Sequence, residues 1–529
     1  MTGKLPIGIQ GFEKLRSEGF LYVDKTEYIY RLVHNNIPYF LSRPRRFGKS
    51  LLLSTLKAYF DGRKDLFKGL AIERLEQENT GAWQTYPVFY FDFNGVNYQD
   101  YNALEATLDS HLRNWESLYH PGKTDFRGQA LGERFENILK LASSQTGLRC
   151  VILVDEYDKP LLETVASQKL HEHNKAVFKG FFSCLKKTDE YIQFTFITGV
   201  TKFHKVSIFS DLNQLKDISL SKDYSALCGI TEKEMLSRFT KEIKALAKNQ
   251  ELSEEMTLAQ LRKTYDGYLF HPQGIKVYNP FSLLNAFADG EFGSYWFETG
   301  TPAFLIQRLK AINFDVRKFT DRTLYAGESV LKDYSDDNPD PVPLLYQTGY
   351  LTIADYDKRK QRYTLCFPND EVRYGFLESL MPVYVPAASG GSGTDIFTLD
   401  NYVESGNLEG MRKVFTALFS SIPYTRADDP FENYFQAVVY LVFTLLGKYS
   451  RCEMHTFSGR VDCILETENY IYIFEFKRDD TAENALRQIE DKGYILPYAA
   501  DPRTIYEIGV TFDSEKRMLT DWNAVSVCC

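Results

Sequence analysis

The order of apolar and polar residues divides the chain into segments with strand and helix character. Residues 37–41 and 151–154 form short apolar runs with polar residues on either side, which is typical of buried strands in a parallel sheet. Residues 256–265 and 281–287 instead repeat apolar side chains at helical spacing, and Leu258, Leu261 and Tyr265 share one face. A capping box of Thr231 and Glu234 predicts a helix start ahead of them. These segments predict an α/β chain.

Two further strand patterns lie in the C-terminal half. Residues 344–353 predict a helix, a glycine and a strand, and residues 363–368 predict a second strand after a charged turn. This order resembles a winged helix, which could contact DNA or dock against neighbouring helices. Docking is favoured by the acids just upstream, which are Asp333, Asp336, Asp337 and Asp340. Residues 471–474 are apolar on both faces and predict a central strand after a hairpin turn at 466–469.

The first apolar strand leads into a segment with the features of a phosphate-binding loop. It reads Ser-Arg-Pro-Arg-Arg-Phe-Gly-Lys-Ser over residues 42–50, and an apolar helix pattern follows. Strand, loop, Gly-Lys-Ser and helix form the context of a P-loop, in which Lys49 neutralises the β- and γ-phosphates and Ser50 binds Mg²⁺. Arg43 stands where that motif has its first glycine, and an arginine does not adopt at low cost the backbone angle that glycine allows.

The second apolar run ends in two acids. A buried parallel strand that delivers Asp155 and Glu156 at its C-terminal end fits a Mg²⁺ ligand and a residue that activates water. The same pattern also fits an ordinary strand with solvated acids. Thr198 ends another strand, as a candidate γ-phosphate sensor or as a simple strand terminus, and Arg45 and Arg46 fit a solvated loop as well as a phosphate contact. The residues expected to bind the nucleotide and its metal are Arg45, Arg46, Phe47, Gly48, Lys49, Ser50, Leu51, Asp155 and Thr198.

The most informative pattern lies near the C-terminus, where Gly-Arg-Val-Asp is followed after one turn by Phe-Glu-Phe-Lys. A symmetric turn places Asp462 opposite Ile473, with Glu475 as a diagonal neighbour about 7–8 Å away, and Lys477 follows on the same face. Two carboxylates supply hard oxygen ligands for Mg²⁺, and a lysine can orient water or stabilise developing charge, as metal-assisted phosphodiester hydrolysis requires. The alternative is a surface ion cluster, which a buried strand makes costly.

Composition adds limits on the partners and the environment. At 529 residues, two to four domains are expected. No apolar stretch is long enough to cross a bilayer, and the eight cysteines lack zinc spacing, so we expect a cytoplasmic protein with reduced thiols and no membrane partner. The net charge of −9 lowers the expectation of nucleic-acid binding without excluding it, because a nuclease needs only a local basic groove.

At Asp462, Glu475 and Lys477 the sequence resembles the PD-(D/E)XK nuclease superfamily. The resemblance implies that the helical Glu432 and the recurrent acidic position Glu453 belong to the same site. It also implies a glutamine and a tyrosine on the helix after the core strand. Gln488 and Tyr494 are the candidates, although their spacing is looser than in related nucleases.

The N-terminal motifs resemble the bacterial AAA-ATPase-like family, and the resemblance extends over nearly the whole chain. Relatives also carry Arg-Pro-Arg-Arg in place of the first loop glycine. The blocks that carry the resemblance are residues 43–50, 154–158, 198–203, 210–213, 265–268 and 278–282.

The resemblance implies an α/β multidomain fold with a P-loop NTPase parallel sheet and a PD-(D/E)XK α/β nuclease-like domain. The expected segments are an ATPase core at 1–230, a helical lid at 231–335, a winged-helix-like module at 336–385, a Pro/Gly/Ser linker at 386–396 and the nuclease-like domain at 397–529. The expected cofactors are ATP and Mg²⁺, with Mn²⁺ as an alternative ion at the nuclease site.

Two functions remain open at this point. The first is an ATP-binding and ATP-hydrolysing protein that controls a metal-dependent nuclease acting on nucleic acid, with DNA as the expected substrate, in defence or mobile-element biology. The second is a nucleotide-switched regulator that binds nucleic acid or protein and whose nuclease-like domain is inactive. Both are compatible with a homo-oligomer.

Overall fold

A computed structural model describes most of the chain and divides it into two compact units. The first unit is Met1–Trp296 with Tyr325–Glu371, and the second is Phe297–Leu324 with Val372–Cys529. The described residues are 3–35, 37–122, 128–203, 215–298, 305–306, 309, 312, 314, 316–319, 324–332, 340–384, 396–420, 431–447, 451–454, 463–513, 515–516 and 518–527.

The strands are numbered in chain order. They are β1 (Tyr39–Ser42), β2 (Val88–Asp92), β3 (Cys150–Asp155), β4 (Ile192–Gly199), β5 (Lys216–Asp217), β6 (Ile230–Thr231), β7 (Val277–Tyr278), β8 (Leu324–Gly327), β9 (Thr352–Asp357), β10 (Arg362–Cys366), β11 (Arg451–Met454), β12 (Cys463–Glu466), β13 (Tyr470–Arg478), β14 (Thr504–Asp513) and β15 (Met518–Val527).

The α-helices are numbered in the same way. They are α1 (Phe12–Ser17), α2 (Thr26–Val33), α3 (Lys49–Phe60), α4 (Ala71–Leu75), α5 (Ala103–Tyr119), α6 (Leu131–Thr146), α7 (Lys159–Leu162), α8 (Gln168–Phe182), α9 (Cys184–Lys187), α10 (Glu232–Arg238), α11 (Thr240–Asn249), α12 (Glu254–Tyr265), α13 (Pro280–Asp289), α14 (Tyr295–Glu298), α15 (Glu328–Lys332), α16 (Val342–Thr348), α17 (Asp370–Tyr384), α18 (Ile396–Ser405), α19 (Leu408–Ser420), α20 (Phe431–Leu446) and α21 (Ala482–Lys492).

The first unit is built around a parallel five-stranded sheet of order β2-β3-β4-β1-β5. β3 is buried at every residue, as its apolar run predicts for a strand that is covered on both faces. β4 lies between β1 and β3, so the strand that ends in Thr198-Gly199 separates the phosphate-loop strand from the acid-bearing strand. The carboxyl ends of parallel strands meet at one edge, which brings the three predicted nucleotide-binding segments together.

Helices α10–α13 pack around an apolar core of their own within the first unit. The helices expected at 256–265 and 281–287 are α12 and α13, and both are confirmed. Leu261 and Tyr265 are buried in this core and Leu258 packs against it, so that face is core packing. Thr231 and Glu234 form the predicted capping box at the start of α10. A lid function for these helices stays a prediction.

A small sheet of order β8-β10-β9 follows, in which β9 and β10 are antiparallel and α16 lies between β8 and β9 in the chain. The predicted order of helix, glycine, strand, turn and strand is confirmed, whereas the winged-helix likeness stays a prediction. Gln347 of α16 accepts a hydrogen bond from the backbone N–H of Lys202 at 3.0 Å and donates one to the Leu331 carbonyl at 2.9 Å. The helix is therefore fastened to the segment that follows β4.

The second unit contains a mixed sheet of order β11-β12-β13-β14-β15. β13 is its central strand, as predicted, and runs parallel to β14 and antiparallel to β12. On one face Phe474 contacts the rings of Phe443 and Trp522. On the other face Ile473 and Ile489 share an apolar cluster, which seats α21 on the sheet.

The hairpin between β12 and β13 has a different register from the predicted one. Ile464, not Asp462, lies opposite Ile473. Thr467 causes the difference, because its N–H donates to the Tyr470 carbonyl at 2.9 Å and its hydroxyl accepts from the Tyr470 N–H at 3.0 Å. The turn therefore closes between these two residues, and the expected position of Asp462 opposite Ile473 is wrong by two residues.

Several predicted features lie outside the described residues. They are Asp462, the acids Asp333, Asp336 and Asp337, residues 210–213 and residues 386–395 of the linker. Glu432 and Glu453 belong to α20 and β11, but their side chains are outside the description. Within the described residues, no helix combines the length and the apolar character needed to cross a membrane.

Candidate nucleotide and nuclease sites

The loop between β1 and α3 carries the first candidate site. Its backbone takes a positive φ at Arg46 (66°) and at Gly48 (93°), and Gly48 precedes the first residue of α3. Arg43, in the place of the first motif glycine, is not among the residues with positive φ. The expected conflict between Arg43 and the loop geometry is therefore wrong, because the chain makes its left-handed turn three residues later.

The Arg43 side chain is buried beneath the loop. Its guanidinium donates to the Ser219 carbonyl at 2.8 Å and to the Tyr224 carbonyl at 3.2 Å, and it lies 3.9 Å from the centre of the Phe270 ring. Burial lowers the pKa of this guanidinium. Arg43 therefore ties the start of the loop to the segment after β5, and it does so by hydrogen bonds and ring stacking.

The remaining loop side chains fall into exposed and buried groups. Arg45 and Arg46 are exposed, whereas Phe47 is buried and meets Tyr268 edge-on with ring centres 4.7 Å apart. Leu51 is half-buried in the first turn of α3. Phe47 and Leu51 thus hold the loop by packing and offer a nucleotide only their backbone groups, whereas both arginine side chains have access to solvent.

Lys49 lies at the centre of the loop. Its ammonium donates to the carbonyls of Arg43 and Pro44 at 3.1 and 3.2 Å and lies 3.4 Å from Glu156 Oε1. The Lys49 side chain is 3% exposed and the Glu156 side chain 18% exposed. The predicted phosphate-binding cation and the predicted activator of water are therefore in direct contact.

Asp155 ends β3 beside this ion pair. Burial raises the pKa of its carboxyl to about 6, and a hydrogen bond from Ser50 opposes the shift. The Tyr90 hydroxyl donates to Asp155 Oδ2 at 3.3 Å, and Oδ1 is buried with no hydrogen-bond partner among the described residues. A carboxylate oxygen next to a serine hydroxyl is a fitting pair of ligands for Mg²⁺, which when bound neutralises charge on the phosphates.

Glu156 and Asp158 shape the edge of the sheet in different ways. Glu156 has φ 53°, a costly backbone conformation for a residue with a side chain. Asp158 is fully buried and accepts hydrogen bonds from the backbone N–H groups of Val200 and Thr201 at 3.0 and 2.6 Å. A Cβ on Gly199 would lie 2.3 Å from Asp158 Oδ1, so only glycine fits at the end of β4. Asp158 thereby fixes the path of the chain after β4.

Thr198 lies between the two flanking strands, as expected for a sensor position. Its hydroxyl is buried and donates to the Leu41 carbonyl of β1 at 2.8 Å. The hydroxyl hydrogen is therefore engaged with the backbone, and only the oxygen lone pairs remain for another contact. A sensor role stays a prediction.

The second candidate site is a cluster of three predicted residues on β13 and α21. Lys477 Nζ lies 3.4 Å from Glu475 Oε1. The Gln488 side chain bridges the two residues, since its amide N–H₂ donates to Glu475 and its amide oxygen accepts from Lys477. The Glu475 side chain is 3% exposed and that of Lys477 is 24% exposed. Sequence reasoning placed these three residues in one site, and the structure brings them together.

Close packing of α21 on the sheet makes this bridge possible. Glu475 pairs with Gly509 of β14, and a Cβ on Gly509 would lie 2.2 Å from the Ala482 carbonyl in the first turn of α21. The missing side chain lets the helix approach the strand. Tyr494, after the end of α21, packs against the apolar cluster that contains Ile489.

Comparison with known proteins identifies the two domains in which these candidate sites lie. A family model described as "Predicted AAA-ATPase" matches residues 6–209, and one described as "PD-(D/E)XK nuclease superfamily" matches residues 430–522. The chain is 36% identical over 526 residues to an Azotobacter chroococcum mcd 1 protein described as "Uncharacterized protein in vnfD 5'region", with 97% of each chain covered. The chain is an AAA-ATPase-like protein with a C-terminal PD-(D/E)XK nuclease superfamily domain. No solved structure matches it.

Membership in this family confirms the resemblance that the motifs indicated. Domains of these two types use a nucleotide and a divalent metal in general. No group of three or more metal-ligating side chains occurs among the residues that the structure describes.

Three residues of the AAA-ATPase-like protein escaped sequence reasoning. Gly509 had a usable signal, because a glycine inside a strand pattern marks close approach of another backbone. Asp158 belonged to a recognised block, but its bonds to the backbone after β4 depend on chain folding between distant segments. Tyr90 carried no signal, since only the pairing of β2 with β3 brings it to Asp155.

Proposed function

We propose that this AAA-ATPase-like protein binds and hydrolyses ATP and uses it to control a metal-dependent nuclease that cleaves DNA. The observation that supports the hydrolytic assignment best is the Gln488 bridge between Glu475 and Lys477. A surface ion cluster needs no third residue to fix its geometry. An active site does, because its groups must be held in one arrangement.

Each residue of the bridge has a distinct task in this proposal. Lys477 places a positive charge 3.4 Å from the nearly buried Glu475 carboxylate, which offers a hard oxygen ligand. Gln488 fixes the orientation of both side chains. The partly exposed Lys477 ammonium orients the attacking water and stabilises negative charge that develops on the phosphate. Mg²⁺ or Mn²⁺, held by Glu475 and Asp462, supplies Lewis-acid activation when bound.

The nucleotide site has a corresponding division of tasks. Lys49 moves from Glu156 to the β- and γ-phosphates when ATP binds, because phosphate oxygens carry more charge than the loop carbonyls that it contacts otherwise. Glu156 is then released to accept a proton from water. Asp155 and Ser50 hold the ion that accompanies the nucleotide, and Tyr90 positions Asp155.

A hydrogen-bonded path supports control of the nuclease by the nucleotide. The chain leaves the first unit after Trp296 and again after Glu371. The Trp296 backbone N–H donates to Glu371 at 2.6 Å, and its indole N–H donates to the carbonyl of Arg45 at 3.1 Å. Ser282 donates to the other oxygen of Glu371 at 2.7 Å. A change in the conformation of the phosphate loop would therefore reach Trp296 and Glu371, the two residues at which the chain leaves the first unit.

The test uses the purified full chain with supercoiled plasmid and single-stranded DNA, in Mg²⁺ or Mn²⁺, with and without ATP. The expected result is metal-dependent cleavage whose rate changes with ATP. Asp462→Asn removes cleavage, and Lys49→Ala removes the effect of ATP. Intact DNA together with retained ATP and no phosphate release would instead assign a nucleotide-switched regulator with an inactive nuclease-like domain.

A further inference from the structure

The hairpin between β9 and β10 ends in a compact group of positive charges. The loop between Asp357 and Arg362 has four residues, and three of them are Lys358, Arg359 and Lys360. All three side chains are exposed. We call residues 358–362 the basic tip. It is a local positive site in a chain with a net charge of −9.

The basic tip has a defined backbone. The Asp357 carboxylate accepts hydrogen bonds from the N–H groups of Arg359 and Lys360 at 3.0 and 3.1 Å. Gln361 closes the loop with φ 49°. One oxygen of the Asp357 carboxylate is thus bound by two backbone donors, and the three cationic side chains extend from this turn.

The cations of the basic tip form no ion pair with another described residue. Some lysines elsewhere do pair with acids, as Lys332 does with Glu328 and Lys140 with Glu136. In the described part of the chain, no carboxylate lies within ion-pair distance of the tip cations. Arg362 stacks instead on the exposed ring of Tyr325, with its guanidinium 3.7 Å from the ring centre. Stacking leaves the N–H edge of the guanidinium available to an anion.

The helix and the strands next to the basic tip, α16, β9 and β10, are held by packing and hydrogen bonds. Gln347 fastens α16 to Lys202 and Leu331, and the strands bury Ile353 and Leu365. These contacts account for the docking of α16, whereas the exposed side chains of the hairpin loop have no packing partner among the residues that the structure describes.

We infer that the basic tip binds the phosphodiester backbone of the nucleic acid on which the nuclease acts. This inference rests on the proposed function. The loop contains three cations and a glutamine but no apolar side chain, so it lacks the anchor that membrane insertion or a protein interface needs. Closely spaced cations on a projecting turn match closely spaced phosphates, whose contact requires charge and donors rather than an apolar pocket.

The experiment measures equilibrium binding of the full chain without metal, in EDTA, so that no cleavage occurs. The probes are fluorescein-labelled 30-mers of duplex DNA, single-stranded DNA and duplex RNA. The variant Lys358→Gln, Arg359→Gln, Lys360→Gln is compared with Lys241→Gln, Lys244→Gln, Lys248→Gln, which removes the same charge from exposed positions of α11. Anisotropy titrations at several salt concentrations give the affinity and its salt dependence.

The tip variant is expected to bind at least one probe on the order of 10–100-fold more weakly. The plot of the logarithm of the association constant against the logarithm of the salt concentration has a negative slope, and the magnitude of that slope is expected to decrease by about three. The probe with the largest loss identifies the polymer. Equal effects of the tip variant and the α11 variant, or no effect on any probe, would overturn the inference. If the parent cleaves nucleic acid but the tip variant binds as tightly as the parent, the inference fails and the proposed function stands. If the tip variant binds more weakly but the parent cleaves no nucleic acid, the proposed function fails and the binding role of the basic tip stands.

Discussion

Lys477 Nζ lies 3.4 Å from Glu475 Oε1 on the central strand of the second unit. The strand places the two side chains on one face because they are two residues apart. Gln488 of α21 contacts both residues and makes the pair part of a three-residue arrangement.

Gln488→Met is expected to lower the cleavage rate on the order of 10–100-fold, as loss of a positioning contact does at metal sites. The substitution keeps the length of the side chain and removes both hydrogen bonds. The loss falls on kcat more than on KM, and the pH profile of cleavage shifts because Glu475 and Lys477 are no longer held. Steady-state cleavage as a function of pH checks this. Equal loss in Gln488→Met and in the exposed-site control Arg487→Met would contradict a positioning role.

Gly509→Ala is expected to lower the free energy of unfolding by about 1–3 kcal/mol and to reduce cleavage. The added Cβ would meet the Ala482 carbonyl at 2.2 Å, which forces α21 away from β14 and withdraws Gln488. Urea denaturation and the cleavage rate measure both effects. Gly180→Ala is the matched control, since a Cβ there meets no atom within 4 Å and the stability should stay the same or rise.

Glu507→Gln is expected to raise the thermal unfolding midpoint at pH 8 and to leave it nearly unchanged at pH 4. Burial, with Glu490 nearby, raises the pKa of Glu507. A raised pKa means that the folded state favours the protonated form, so stability falls as the pH rises from the unfolded-state pKa to the folded-state pKa and stays lower above it. Differential scanning calorimetry at the two pH values provides the test. A larger gain at pH 4 than at pH 8 would contradict the assignment.

Arg43→Gly restores the first glycine of the phosphate-loop motif, yet it is expected to destabilise the protein by about 2–4 kcal/mol without faster ATP hydrolysis. The arginine is buried, bonded to two carbonyls and stacked on Phe270, whereas the loop takes its left-handed turn at other residues. Denaturant titration and a phosphate-release assay measure the two outcomes. Faster hydrolysis at unchanged stability would contradict this account of the loop.

Trp296→Phe is expected to leave DNA cleavage without ATP unchanged and to reduce the effect of ATP on cleavage by about fivefold or more. Phenylalanine keeps an aromatic ring but loses the donor to the Arg45 carbonyl. The ratio of cleavage rates with and without ATP, together with ATP affinity, measures the coupling. Trp115→Phe in α5 is the control, and an equal effect in both variants would exclude the proposed path.

Much of the fold could be predicted because local patterns and final structure agree. The apolar runs of β3 and β13 predict buried strands, and the structure buries both. The turn before β13 shows where local reasoning fails. A turn over residues 466–469 was predicted, but Thr467 bonds to Tyr470, which shortens the turn and shifts the register.

More of the side-chain arrangement could be predicted from the sequence at the nuclease-like site than at the phosphate loop. Glu475 and Lys477 could be placed together because strand alternation brings them to one face, whereas Gln488 was implied only by the family resemblance. The role of Arg43 could not be predicted, because its partners Ser219 and Tyr224 are about 180 residues away along the chain. Contacts of that kind depend on the folded path rather than on any nearby pattern.

The most direct test of the hydrolytic assignment compares the DNA cleavage rates of Lys477→Ala and Lys492→Ala in Mg²⁺. Lys492 is an exposed lysine at the end of α21 and serves as the matched control. Lys477→Ala should lose at least about 100-fold in rate with an unchanged circular dichroism spectrum, while Lys492→Ala cleaves as the parent does. Cleavage by Lys477→Ala at the parent rate would contradict the assignment.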